Sequence, residues 1–153
     1  TDAEIYRLTK LLRDAEVRRI AIGHGGHCTS IAAAAAINAA WTELGGSVEQ
    51  IASWPADAAS WMRPARRLVA GQPDAWVIAD TPAGWAQLVR RLATYPCWSP
   101  ARTFGFAGLA SQDLLGLAGD ALNGMTGATA DGRRWFITGR SLTVDDLPGQ
   151  FTR

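Results

Sequence analysis

The sequence predicts an α/β domain in which a mostly parallel sheet of five strands carries helices on both faces, a three-layer arrangement. Three observations predict it. Apolar stretches of strand length alternate with stretches of helical periodicity four times over, the pattern of successive βαβ units with right-handed crossovers. The run Ala75-Trp76-Val77-Ile78-Ala79 is apolar without a break, as a central strand covered on both faces must be. The stretch Arg18 to Ser30, RRIAIGHGGHCTS, sets a short apolar strand, a glycine-rich loop and a helix start in succession. Bare amides at such a helix start favour an anionic or polar acceptor, so this stretch reads as the mouth of a binding site.

Taken in order, residues 2–15 place Ile5, Leu8, Leu11, Leu12 and Ala15 at helical spacing, with Glu4, Arg7, Lys10 and Asp14 outside. A first strand covers 17–22. Thr29 and Ser30 read as caps of a helix at 30–44 that buries Ile31, Ile37, Trp41 and Leu44 and stops at Gly45-Gly46. A second strand is expected at 47–53 and is ended by Pro55. A helix at 58–70 turns Trp61, Ala65, Leu68 and Val69 inward, with Pro64 tolerated in its first turn or at a kink. The third strand, 75–79, is followed by Thr81-Pro82 as N-cap and first residue of a helix carrying Trp85, Leu88, Val89 and Leu92. Thr103 to Phe106 forms a fourth strand, Ser111 caps another helix, and 123–129 form a weaker fifth strand. Arg134 to Thr138 reads as an edge strand, which places one domain at 1–140 and a polar surface tail at 141–153.

Composition narrows the function classes. A chain of 153 residues fits one domain, and at this size roughly 68–70% of the unfolded surface is buried on folding. Nearly half the residues are apolar, so a full core forms without metal or disulfide staples. Charged residues are sparse, net charge is +1, and Lys10 is the single lysine. The arginines fall in scattered pairs, and a sequence pI of 7.8 is far from the clustered basic footprint of a nucleic-acid binder. Cys28 and Cys97 make no disulfide framework and are expected as two free thiols. No apolar run approaches the roughly 18 residues that span a bilayer. The opening at Thr1, already within a helical pattern, suggests a domain excised from or processed out of a longer protein.

His24, His27 and Cys28 form an H-x-x-H-C cluster. Zinc would accept these ligand types, with Asp80 as a fourth, but a second pair of ligands is missing, and no metal or cofactor is expected. Cys28 near a helix start has the setting of a nucleophile; it reads more simply as a small apolar residue filling the joint between loop and helix. Asp80 either accepts a hydrogen bond from a ligand or caps the helix behind it. Of the tryptophans, Trp41, Trp61, Trp76 and Trp85 are placed in the core, Trp54 and Trp98 on the surface, and Trp135 at a docking surface.

The ordered set of segments resembles one lobe, the second, of type I periplasmic binding proteins of the branched-chain amino-acid-binding group, also called extracellular ligand-binding receptors. Three landmarks carry the likeness: GQPDAWVIAD followed by TPAGWAQLVRRL, the segment GLASQDLLGLAGDALNGM, and the helix stop at Leu44-Gly45-Gly46. It covers about residues 3–130. The resemblance implies a Rossmann-like, doubly wound sheet of order 2-1-3-4-5 and a ligand held between two lobes that close like a hinge. Two positions depart from the family pattern: Ala107 stands where an acidic residue is usual, and His24 to Cys28 replace an acidic-aromatic pattern.

In that order the direction reverses between strands 1 and 3, and ligands bind beyond the carboxyl ends at such a switch point. The candidate binding residues are therefore His24, Gly25, His27, Cys28, Thr29 and Ser30 after the first strand, Asp80 and Thr81 after the third, and Phe106 and Ala107 after the fourth. The expected role is non-catalytic recognition of an amino-acid-like or other polar solute, as the solute-binding component of an ABC-type transporter or a sensory domain. The former lies outside the cytoplasm, in the periplasm or beyond, and the latter inside it. The expected partners are the small-molecule ligand, a missing second lobe or a second copy of the chain, and a membrane transporter or effector, with no nucleic acid. Two alternatives stand beside this: a Cys/His- or metal-dependent hydrolase at the His24–Cys28 loop, and a dimerisation module without ligand.

Overall fold

A computed structural model of the chain describes residues 1–55 and 57–145. Its elements are α1 (Asp2–Asp14), β1 (Arg19–His24), α2 (Cys28–Glu43), β2 (Ser47–Ser53), α3 (Met62–Val69), β3 (Ala75–Ala79), α4 (Pro82–Leu92), β4 (Thr103–Gly105), α5 (Gln112–Ala118), β5 (Thr126–Ala128), β6 (Arg134–Thr138) and β7 (Ser141–Val144). They form one sheet of order β2-β1-β3-β4-β5-β6-β7. The first five strands pair in parallel, in the expected order 2-1-3-4-5, and β6 and β7 continue the sheet antiparallel. The strand expected at Arg134–Thr138 is present as β6, but β7 pairs beyond it, so β6 is not an edge and the sheet has seven strands rather than five. Of the predicted tail, Ser141–Val144 is the exposed outer strand, and 146–153 lie outside the described residues.

Strand alternation divides the core in two. From β3, Ala75, Val77 and Ala79 face α1 and α2, where they meet Leu8, Leu12, Ile37 and Trp41. Trp76 and Ile78 face α3, α4 and α5, among Leu68, Trp85, Leu88, Leu92 and Leu114. Every residue of β3 is buried, which is why that strand was plain in the sequence. The cap of α4 is as expected: the Thr81 hydroxyl accepts from Gly84 N–H at 3.3 Å, and Pro82 opens the helix. Pro64 falls in the first turn of α3, where a missing N–H costs nothing.

Several expectations are corrected. Strand β1 runs to His24, because its ladder with Ala79 on one side and Ser53 on the other continues that far. Helix α2 starts at Cys28, with His27 as an N-cap that makes no side-chain cap bond, so Thr29 and Ser30 lie within its first turn. Its alanine run carries no amphipathic signal, and Ile31 and Leu44 are exposed. Helix α3 is shorter than 58–70, and Trp61 sits half-buried at its N-cap. Trp54 and Trp98 are buried, and Trp135 is fully so, its indole N–H donating to the Ala128 carbonyl at 3.1 Å. Trp135 fills the space over Gly105 and Gly127, where an added Cβ would fall 2.9 and 2.4 Å from its ring. Glu4, read as an outward residue, is buried. Cys28 does not fill a joint; both it and Cys97 are free and exposed.

Candidate functional site

Parallel pairing brings the ends of β1, β3 and β4 to one rim of the sheet, and Gly25 N–H extends the ladder by donating to the Ala79 carbonyl at 3.0 Å. Asp80 follows β3 directly and is 9% exposed. Its Oδ2 accepts from the Trp54 indole N–H at 2.8 Å. A Cβ on Gly25 would lie 2.1 Å from Oδ1, and one on Gly84 would lie 2.3 Å from Oδ2. The carboxylate thus occupies a slot left open by two glycines and closed by a tryptophan, an arrangement drawn from three loops distant in sequence. Burial pushes the Asp80 carboxyl above its ordinary range; the Trp54 N–H, the Thr81 backbone N–H and the charges of His27 and His24 offset part of that.

Beside Asp80 is a recess of about 170 Å³, to which Thr29, Ser30 and Phe106 contribute from the predicted set. Glu4, Ala33, Ala79 and Gly108 line it as well. Glu4 was missed by periodicity because it serves the fold from an outward helical position. One of its oxygens accepts from the Ala107 N–H at 2.7 Å, and the other takes the N-terminal amine at 2.9 Å. The Ala107 N–H is therefore engaged by Glu4, and Ala107 itself does not line the recess. Thr81 is occupied in capping α4. Trp54 was missed as well; its one trace in the sequence is the glycine at 23, where a Cβ would strike the Trp54 ring at 2.8 Å.

The histidine-bearing loop behaves differently from its reading as a ligand cluster. His24 Nδ1 lies 2.8 Å from its neighbour's carbonyl, Gly25 O, as a donor in the tautomer that pairs them. His27, Cys28 and Thr29 are exposed, and His27 and Cys28 lie outside the recess lining. Among the described residues, no three His, Cys, Asp or Glu side chains gather where a metal ion could sit, so the four-ligand set with Asp80 is not assembled. No helix among them is long and apolar enough to cross a membrane.

No family model matches the chain, and no curated protein does. Solved structures match well in shape. An extracellular ligand-binding receptor from Rhodopseudomonas palustris superposes with a TM-score of 0.73 at 16% identity, over 83% of this chain and 35% of its own. A substrate-binding periplasmic protein from Ralstonia solanacearum gives 0.71 at 21% identity, over 81% and 35%. A leucine-binding protein from Thermotoga maritima gives 0.76 at 9% identity, over 94% and 65%. The chain spans about a third of the length of the first two. At these identities the likeness is one of architecture: the chain has the fold of one lobe of a type I periplasmic binding protein.

Proposed function

We propose that this chain is one wall of a two-walled, non-catalytic binding site for a small polar solute, with Asp80 as its buried acceptor. One observation carries the reading. The loops after β1, β3 and β4 converge on a recess of about 170 Å³, whereas complete small-molecule sites enclose about 300–1,000 Å³. A recess this small and open holds a ligand only when a second surface closes over it. A second lobe or a second copy of the chain would supply that surface, with ligand favouring the closed state. The neighbours of like fold, described as ligand-binding receptors and substrate-binding proteins, support this role.

The recess also indicates what part of a solute it takes. Asp80 and Glu4 offer carboxylate oxygens, and Thr29 and Ser30 offer hydroxyls next to the uncapped start of α2. Such a set suits a group that donates hydrogen bonds, an ammonium or a hydroxyl, beside a polar acceptor. An amino acid or a polyol meets that description, and the leucine-binding neighbour makes leucine a fitting first probe.

Two-dimensional NMR titration of the chain with leucine, leucinamide and glucose tests the reading. The expected result is weak, millimolar-range binding of at least one probe, with shifts at the Thr29, Ser30 and Gly108 amides that Asp80→Asn reduces at least about tenfold. Submicromolar binding to the chain alone would overturn the two-walled reading, and shifts elsewhere would overturn the assigned recess.

A further inference from the structure

A second cavity, of about 530 Å³, lies between the end of β2 and helix α3. Unlike the recess at Asp80, it falls within the size range of self-sufficient small-molecule sites. Trp54, Pro55, Met62 and Pro64 give it apolar walls, and Arg63 and Arg66 line it as well. Met62 is 47% exposed, so an unbranched apolar side chain stands in water at the site. Arg63 and Arg66 are three residues apart on α3 and share one face of it.

The charge there is unanswered. Among the described residues, neither Arg63 nor Arg66 forms an ion pair, and Asp57, the carboxylate of the intervening loop, pairs with neither. Arg67, the next residue, behaves differently: it turns to β2 and donates to the Ile51 carbonyl at 3.1 Å. Ser60 Oγ accepts from Met62 N–H at 3.3 Å, which orders the chain entering α3. Two guanidinium groups beside an apolar hollow match an anionic head on an apolar body, because guanidinium binds carboxylate in a fixed planar fork.

We infer that the groove between β2 and α3 is a binding site for an organic acid with an apolar body, whose carboxylate is held by Arg63 and Arg66 and whose body lies against Trp54 and Met62. The site needs no second wall, so it stands apart from the two-walled reading of the Asp80 recess. Trp54 takes part in both: it lines the groove, and its indole N–H holds Asp80.

The test is NMR titration of the chain with 3-phenylpropionate, 3-phenylpropanamide and 3-phenylpropanol. The acid is expected to give saturable shifts at the Trp54 indole N–H and at the Ser60, Met62 and Arg63 amides. The two neutral analogues should bind at least about tenfold more weakly, as should the acid to the double variant Arg63→Gln/Arg66→Gln. Both arginines are exposed, and an unchanged amide spectrum of the double variant outside α3 verifies its fold. Single variants Arg63→Lys and Arg66→Lys, which keep the charge, should bind with intermediate strength. Equal binding of acid and amide, equal binding by the double variant, or no saturable shift would each overturn the inference. So would acid-induced shifts confined to Thr29, Ser30 and Gly108, which would place the acid in the Asp80 recess and leave that site's own test intact.

Discussion

Strand β3 is bounded by two aspartates whose acidities move in opposite directions. Asp74, just before it, accepts backbone N–H bonds from Arg19 at 3.0 Å and Arg18 at 3.1 Å. The Arg19 amide first, then the Arg18 amide and the charges of Arg19 and Arg102, hold its carboxyl below the usual range against the opposing effect of burial. Asp80, just after β3, is pushed the other way by burial. Linkage gives them opposite signs. The contribution of Asp74 is present above its unfolded-state pKa and is lost as pH falls through its lower folded value. Asp80 keeps its proton in the fold after the unfolded chain has released it, so its contribution declines as pH rises above about 3.9, the ordinary aspartate value, through its raised folded value. Urea midpoints measured between pH 3 and 7 should therefore show Asp74→Asn losing most, relative to wild type, at the neutral end. Asp80→Asn should gain relative to wild type over the same rise. Parallel curves for the two variants would refute the assignment. Trp54→Phe removes the indole donor to the buried carboxylate and should cost about 1–3 kcal/mol at neutral pH, read from the same midpoints.

Elements were legible in the sequence to the degree that local chemistry decided them. Strand β3 announced itself because both of its faces are covered, and α4 because Thr81 and Pro82 are the residues a helix start demands. The start of α2 was misplaced by two residues because Thr29 and Ser30 look like caps, while the backbone turns into the helix at His27 without any side-chain cap. The burial of Glu4 and Trp54 was hard to read because each depends on a partner far along the chain: Ala107 for one, Asp80 and Gly23 for the other. In the β6–β7 hairpin, strand β6 was legible as Arg134–Thr138, but its partner β7 escaped notice because it is short and mostly polar, as exposed edges tend to be. That hairpin nonetheless bears on the core through Trp135, fully buried over Gly105 and Gly127. Trp135→Ala should destabilise the fold by about 3–5 kcal/mol, and a loss below about 1 kcal/mol in chemical denaturation would show that the hairpin is an appendage.

At the scale of the whole molecule, β1 and β3 give residues to the apolar clusters on both faces of the sheet. Neither layer of helices can leave without stripping strands the other layer needs. Unfolding in urea should therefore be one transition, with tryptophan emission and far-ultraviolet circular dichroism coincident; two separated transitions would contradict the shared core. The same sheet gathers at one rim every loop that the sequence marked as a candidate, although it brings together only part of that set. Gly25, Asp80 and Gly84 are bound to one another there by lack of room. A side chain at position 25 or 84 has no space while the acid remains at 80, and replacing the acid by alanine frees both positions at once. Descent with modification must pass through that order of events, so in natural variants of this chain these three sites are expected to change in concert, and a lone alanine at 25 or 84 beside a retained acid should be a lineage rarely found.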